Sequence, residues 1–352
     1  LYYGTANNDY VNDMLVDSED LIWLYGYKSS PTSSYIVKLD RYGQVIWENI
    51  YSSPSRIKRM VETTSNTFLA VNTDRIVSMN SSGDILWDKT YNLPINGNFE
   101  TIVQSSGKYF VVGTYLNSNS QRNIFIFQIN GDGDVIEINN SQAIYIEEDF
   151  KIEVDYAAST DDGGVVISGS SEDSNGFGLK DSYVLKLDAN LNVDWSKYYG
   201  SNSNDIFRKV IPTNDNGFIG VGTSESYDEF FSPYLVKIDS DGNQEWMTTI
   251  RPNINGTSGR LYSVLELTDG YILGGNFTIP GGDQETLVFK IDKQGNKLWE
   301  QFYDLGQYER LRSQLYSYDD GIIFGGDANS SDNTRGTDFT ILKFDISGNR
   351  IF

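Results

Sequence analysis

One segment recurs seven times along the 352 residues, and no other feature constrains the fold as tightly. Its copies occupy 38–47, 78–87, 128–137, 186–195, 237–246, 290–299 and 343–352; two of them read Lys38-Leu-Asp-Arg-Tyr-Gly-Gln-Val-Ile-Trp47 and Lys290-Ile-Asp-Lys-Gln-Gly-Asn-Lys-Leu-Trp299. Each predicts a strand, a tight turn and a second strand. The Asp or Asn bonds backbone two residues on, and the Gly supplies φ > 0. Only the fourth copy departs there, with Leu191 in the glycine's place. Upstream of each hairpin lies another pair of strands. The second of these ends in a small residue (Gly26, Asn72, Gly113, Gly169, Gly222, Gly275, Gly326), expected to allow close approach between neighbouring sheets. The first carries an apolar pair three apart, as in Val11/Met14, Phe99/Ile102, Phe207/Val210 and Leu261/Val264.

Four short antiparallel strands in roughly 50 residues, repeated seven times, are the pattern of a β-propeller. The expected class is all-β: one seven-bladed domain over 1–352, with approximate units 5–53, 54–95, 96–148, 149–202, 203–254, 255–306 and 307–352 plus 1–4. Trp195-Ser-Lys-Tyr-Tyr-Gly200 is matched by Phe352 at the chain's end and Leu1-Tyr-Tyr-Gly4 at its start. Residues 1–4 are therefore expected beside or just beyond 348–352, closing the seventh blade by strand pairing.

Composition removes much chemistry. With 0 His and 0 Cys the chain has no disulfide, imidazole ligand or Ser-His-Asp set. A net charge of −22 opposes nucleic acid or an anionic membrane as partner. No apolar run reaches membrane-spanning length. The chain opens at Leu1 rather than Met, and its acidic, Asn-, Ser- and Tyr-rich composition fits an exported, processed protein, so an extracellular or cell-surface location is expected.

The pattern D-G-G followed by Y-L-V-K-(L/I)-D-x-x-G-N-x-x-W, as in Tyr234-Leu-Val-Lys-Ile-Asp239 and Gly295-Asn-Lys-Leu-Trp299, resembles the propeller repeats of prokaryotic exported and cell-surface proteins, grouped with quinoprotein-like (PQQ-like) propellers. The resemblance covers essentially the whole chain. It implies the fold and a surface setting but no activity, since such repeats occur in enzymes, scaffolds and adhesins. The vicinal cysteines found over the quinone in quinoprotein dehydrogenases are absent, and seven units stand where those enzymes have eight, so no cofactor is expected. WD-type Gly-His signatures are excluded by the lack of His.

The repeated Trp47, Trp87, Trp195, Trp246 and Trp299 are expected to pack between blades, and Asp40, Asp188, Asp239, Asp292 and Asp345 to cap turns, their counterparts being Asn80 and Asn130. Asn130-Gly-Asp-Gly-Asp134 is the nearest approach to a Ca²⁺ loop, which makes Asp132 and Asp134 a weak metal candidate; no metal is expected. Sequons at Asn80, Asn139, Asn255, Asn276 and Asn329 are candidate glycosylation sites.

Connections after the first and third strands are uniformly short, whereas those after the second and fourth vary, which points to the latter face for binding. Its most unusual loop, 225–231, carries Tyr227, Phe230 and Phe231. Aligned units also set Asn12, Lys58, Glu100, Asp155, Arg208, Tyr262 and Arg312 at one level of the first strands, and Asp13, Arg59, Thr101, Tyr156, Lys209, Ser263 and Ser313 at the next, polar rings expected to line an axial channel. Binding candidates are thus Tyr227, Phe230, Phe231, Lys58, Arg208, Tyr262 and Arg312. The function expected is a non-catalytic binding or structural module whose partners are surface proteins, glycans or further copies of itself. The alternatives are a carbohydrate-active hydrolase or lyase with carboxyls around the axial pocket, and an envelope assembly scaffold.

Overall fold

The computed structural model describes the chain except residues 5–7, 30–31, 54–55, 139, 173–178, 228–230, 254–256, 279, 281–283, 304–306, 312, 314–315, 319–320 and 330–335. Among the described residues there is no helix, and the strands form seven antiparallel sheets, the blades of a β-propeller. Contacts divide the chain into two compact units: Leu1–Ile57, Phe231–Pro233 and Thr249–Phe352 in one, Lys58–Phe230 and Tyr234–Thr248 in the other.

The first unit holds three blades. One runs Asp9–Val16, Ile22–Ser29, Thr32–Leu39, Val45–Tyr51, and another Ser258–Leu267, Gly270–Thr278, Gln284–Ile291, Lys297–Tyr303. The third is built from Gln307–Leu311 with Tyr316–Tyr318, then Gly321–Asn329, Thr337–Phe344 and the N-terminal Tyr2–Tyr3. Here the expected closure is present: Tyr2 and Tyr3 pair antiparallel with Thr340 and Phe339, and the Lys343 amide donates to the Phe352 carbonyl at 3.0 Å. The two chain ends thus lie along the same neighbouring strand, so Thr337–Phe344 is paired on both sides.

The second unit holds the blades that begin at Arg59–Glu62, Asn98–Ser105, Lys151–Ser159 and Asp205–Pro212. In the Asn98 blade the outer strand is broken into Val135–Ile136 and Ile144–Ile146. Interleaved apolar side chains from successive blades make the core. Val166, Val184, Tyr199, Phe207, Val210, Tyr234 and Val236, all buried, form one such cluster.

The apolar spacing of three along the first strands is explained by a β-bulge. The register slips by one residue between Val11 and Asp13, Phe99 and Thr101, Val154 and Tyr156, Phe207 and Lys209, and Leu261 and Ser263. An ordinary strand alternates sides every residue; the extra residue lets positions i and i+3 both face the core and sets two polar residues between them on the other side. The bulged residues are Asn12, Glu100, Asp155, Arg208 and Tyr262. This also corrects the expected role of the small residues. A Cβ on Gly26, Gly169, Gly222 or Gly275 would fall on the backbone oxygen of Tyr10, Glu153, Ile206 or Arg260, the residue before the apolar partner on the same sheet. The close approach lies inside each blade, opposite its bulge, and not between blades.

Turn chemistry follows the repeat. Asp239 Oδ1 accepts from the amides of Asp241 and Asn243 at 2.9 and 2.7 Å, as Asp40, Asp188, Asp292 and Asp345 do at their turns. The Lys of the third strand reaches the turn acid of its own blade: Lys186 to Asp162 at 2.7 Å, Lys237 to Asp215 at 2.9 Å, Lys290 to Asp269 at 2.7 Å. Gly242 has φ +80, and a Cβ there would also lie 2.8 Å from the Trp195 indole, which lies over this turn of the next blade.

Candidate functional site

At the variable-loop end of the first unit, its segment Phe231–Pro233 meets its strand Ser258–Leu267. The Gly259 amide donates to the Phe231 carbonyl at 2.8 Å. Glycine is required at 259 because the Phe277 ring occupies the place of its Cβ. This docking puts the next side chain, Arg260, against the loop aromatic: the guanidinium lies 4.4 Å from the centre of the Phe231 ring, a cation–π stack. Phe231, Ser258, Gly259, Arg260, Tyr262, Asn276, Thr278 and Gln284 enclose a cavity of about 300 Å³.

Two expected binding residues, Phe231 and Tyr262, are therefore brought together, although they lie 31 positions apart in the chain. Arg260 was not among the candidates. Its signal in the sequence is a lone basic residue one position before the apolar pair Leu261/Val264, which means nothing until the loop at Phe231 is known to sit beside it.

A second polar cavity, of about 420 Å³, lies at the variable-loop end of the other unit, lined by Glu100, Thr114, Arg122, Lys151, Glu153, Val154 and Asp155. Its acids are each tied to a cation: Glu100 to Lys58 at 2.6 Å, Glu153 to Lys151 and Lys180 at 2.8 and 2.9 Å, Asp155 to Arg208 at 2.8 Å. Burial pushes the Asp155 carboxyl up despite the Arg208 charge beside it. Glu153 goes the other way: burial would raise it, but Lys151 and Lys180 hold it down at about 2. Lys58 and Arg208 are thus locked into ion pairs, not presented to solvent as free binding cations.

At the next level the Arg59 Nη2 donates to the Tyr156 hydroxyl at 2.9 Å, and the Lys209 ammonium lies 4.5 Å from the centre of the same ring. Lys209 is only 3% exposed, and burial first, then the Arg59 charge, push its amine well below the ordinary lysine range.

The remaining candidates fall elsewhere. Tyr227 stacks on Tyr234 at 6.1 Å and packs against the core, so it is a packing residue. Phe230 and Arg312 lie outside the described residues, as do Asn139 and Asn255. Asn276 is 5% exposed and lines the first cavity, a position at odds with glycan attachment; Asn80 caps its turn, and Asn329 accepts from Thr337 at 2.6 Å. Asp134 accepts from Lys89 at 2.8 Å, so an ammonium stands where a cation was considered, and among the described residues no acidic cluster is arranged for a metal. No helix among them is long and apolar enough to cross a membrane.

No family model and no curated protein matches the sequence. Solved structures do. The chain is similar to the Pan2 WD40 domain of Neurospora crassa, at 9% identity and a TM-score of 0.59, over 96% of this chain and 89% of that one. It is similar to the periplasmic gluconolactonase PpgL of Pseudomonas aeruginosa, at 12% identity and a TM-score of 0.58, over 92% and 96%. It is also similar to puromycin hydrolase, at 10% identity and a TM-score of 0.63, over 99% of this chain but 55% of that one. At these identities the likeness is one of fold, shared by a WD40 domain and by enzymes alike.

Proposed function

We propose that this propeller is a non-catalytic binding module of an exported or cell-surface protein, and that it takes its partner at the variable-loop ends of its blades, with the Phe231–Arg260–Tyr262 cavity as the contact point. The observation that carries this reading is the convergence at that cavity: a loop aromatic, a first-strand tyrosine and an arginine meet in one concave, polar site. The resemblance of the repeats to those of exported PQQ-like propellers supports the surface setting. The pairing of every acid in the second cavity with a cation supports a binding rather than a catalytic use of the scaffold.

The test is to probe arrayed glycans and surface peptides with the purified protein, then with Phe231→Ala and Tyr262→Ala. Retained folding with loss of the bound spots is expected; unchanged spots in both variants would remove the site from the reading.

A carbohydrate-active enzyme is the second reading, and one observation favours it. Asp155 is held above and Glu153 below their ordinary ranges in one cavity, the separation that divides a proton donor from an ionised partner. Turnover of a bound saccharide that Asp155→Asn abolishes would select this reading over the first.

A further inference from the structure

We propose that the Arg260 cavity recognises a saccharide bearing a single carboxylate, with Arg260 as the carboxylate receptor. This rests on the binding reading above and names the class of ligand for that same site. The chain has 49 acidic against 27 basic residues, yet the described lining of this cavity carries one charge, the guanidinium, and no acid. Basic groups elsewhere in the same unit are used differently: Lys38 pairs with Asp17 at 3.2 Å and Lys290 with Asp269 at 2.7 Å. Arg260 instead rests on the face of Phe231, which orients the guanidinium plane while leaving its N–H groups unspent by that contact. A planar fork of donors held in place is the geometry that receives a carboxylate by two parallel hydrogen bonds.

The rest of the lining favours a sugar as the carrier of that carboxylate. Ser258 and Thr278 bring hydroxyls, Asn276 and Gln284 bring amides, and Tyr262 brings a phenol. Each of these can both donate and accept, as each sugar hydroxyl does. About 300 Å³ is at the small end of ligand cavities, enough for a terminal acidic ring and not for a wide apolar group. The net charge of −22 works against a polyanion at long range, so one carboxylate docked locally on Arg260 is the form that fits.

The experiment is an NMR titration of the whole protein with methyl β-glucuronide and methyl β-glucoside, which differ only in carboxylate against hydroxymethyl. The glucuronide is expected to bind at least about tenfold tighter, the scale of a charge-assisted hydrogen bond. Arg260→Gln should erase that preference with the unfolding midpoint unchanged, and Arg260→Lys should keep part of it. Equal binding of the two sugars at the cavity would overturn the carboxylate assignment while the binding reading stood. Binding of an N-acetyl-aspartyl peptide but of neither sugar would make the partner a protein and overturn the saccharide. Shifts for no probe at these residues would overturn both.

Discussion

The hydroxyl of Tyr3 donates to the carbonyl oxygen of Gly43 at 2.7 Å, joining the completed last blade to the turn of the first. Interior repeats make the same bond. Tyr91 donates to Gly133 at 2.8 Å, Tyr199 to Gly242 at 2.7 Å and Tyr303 to Gly348 at 2.6 Å. The N-terminal Leu1-Tyr-Tyr-Gly4 therefore does for the closing blade what Tyr198-Tyr-Gly200 does for an interior one.

Tyr199→Phe and Tyr3→Phe should each destabilise the protein by about 1 kcal/mol, because a buried carbonyl loses its donor while the ring's packing survives. Urea titration measures the shift. A negligible change at Tyr3 beside a full one at Tyr199 would mean that the terminal strand frays ahead of global unfolding.

A pair of exceptions in the repeat compensate one another. The third copy has Glu137 where five others have Trp and the seventh has Phe352, and the fourth has Leu191 where the others have Gly. The indoles of Trp87, Trp195 and Trp299 cover the next turn glycine, at Gly133, Gly242 and Gly348; here Leu191, 2% exposed, fills that space itself, at φ 61. Leu191→Gly should destabilise by about 1–4 kcal/mol, since the lost burial outweighs relief of the left-handed backbone. Adding Glu137→Trp should recover part of it, and a double-mutant cycle in urea gives the coupling.

Gly222→Ala should be among the most damaging single-methyl changes, because its Cβ would meet the Ile206 carbonyl oxygen opposite the bulge and not a side chain able to move. A loss of about 3 kcal/mol or more is expected, to be read from the thermal midpoint. Gly131→Ala, with open space around it, is the control.

Lys209 predicts a pH dependence. Its amine is depressed in the folded state, by burial first and then by Arg59, whereas in the unfolded chain it titrates near the ordinary lysine value of 10.5. Between the folded and unfolded values the unfolded chain binds the extra proton, so this group makes stability rise with pH and lowers it below that window. Lys209→Met should gain stability at neutral pH, and its advantage over the parent should shrink as the pH is raised toward 10. Chemical denaturation at several pH values checks this, and a constant difference would refute it.

The sheets and their turns were legible in the residues because their causes are local. An Asp capping amides two and four residues on, a glycine at φ > 0 and a run of alternating apolar residues act over a few positions and recur seven times. The closing strand was legible too, through the likeness of Leu1-Tyr-Tyr-Gly4 to Trp195-Ser-Lys-Tyr-Tyr-Gly200. The three-residue apolar spacing was visible without its reason, since a bulge is a property of two strands in register. What only the tertiary structure decided is which polar groups are spent and which remain. Lys58 and Arg208 found carboxylates on neighbouring strands, Tyr227 turned into the core, and Arg260 settled on Phe231 because Gly259 lets the loop dock against its strand. Local sequence fixes where a side chain stands on its own strand; the partners of Lys58, Arg208 and Arg260 come from other strands 42, 53 and 29 positions away, and only folding brings them together.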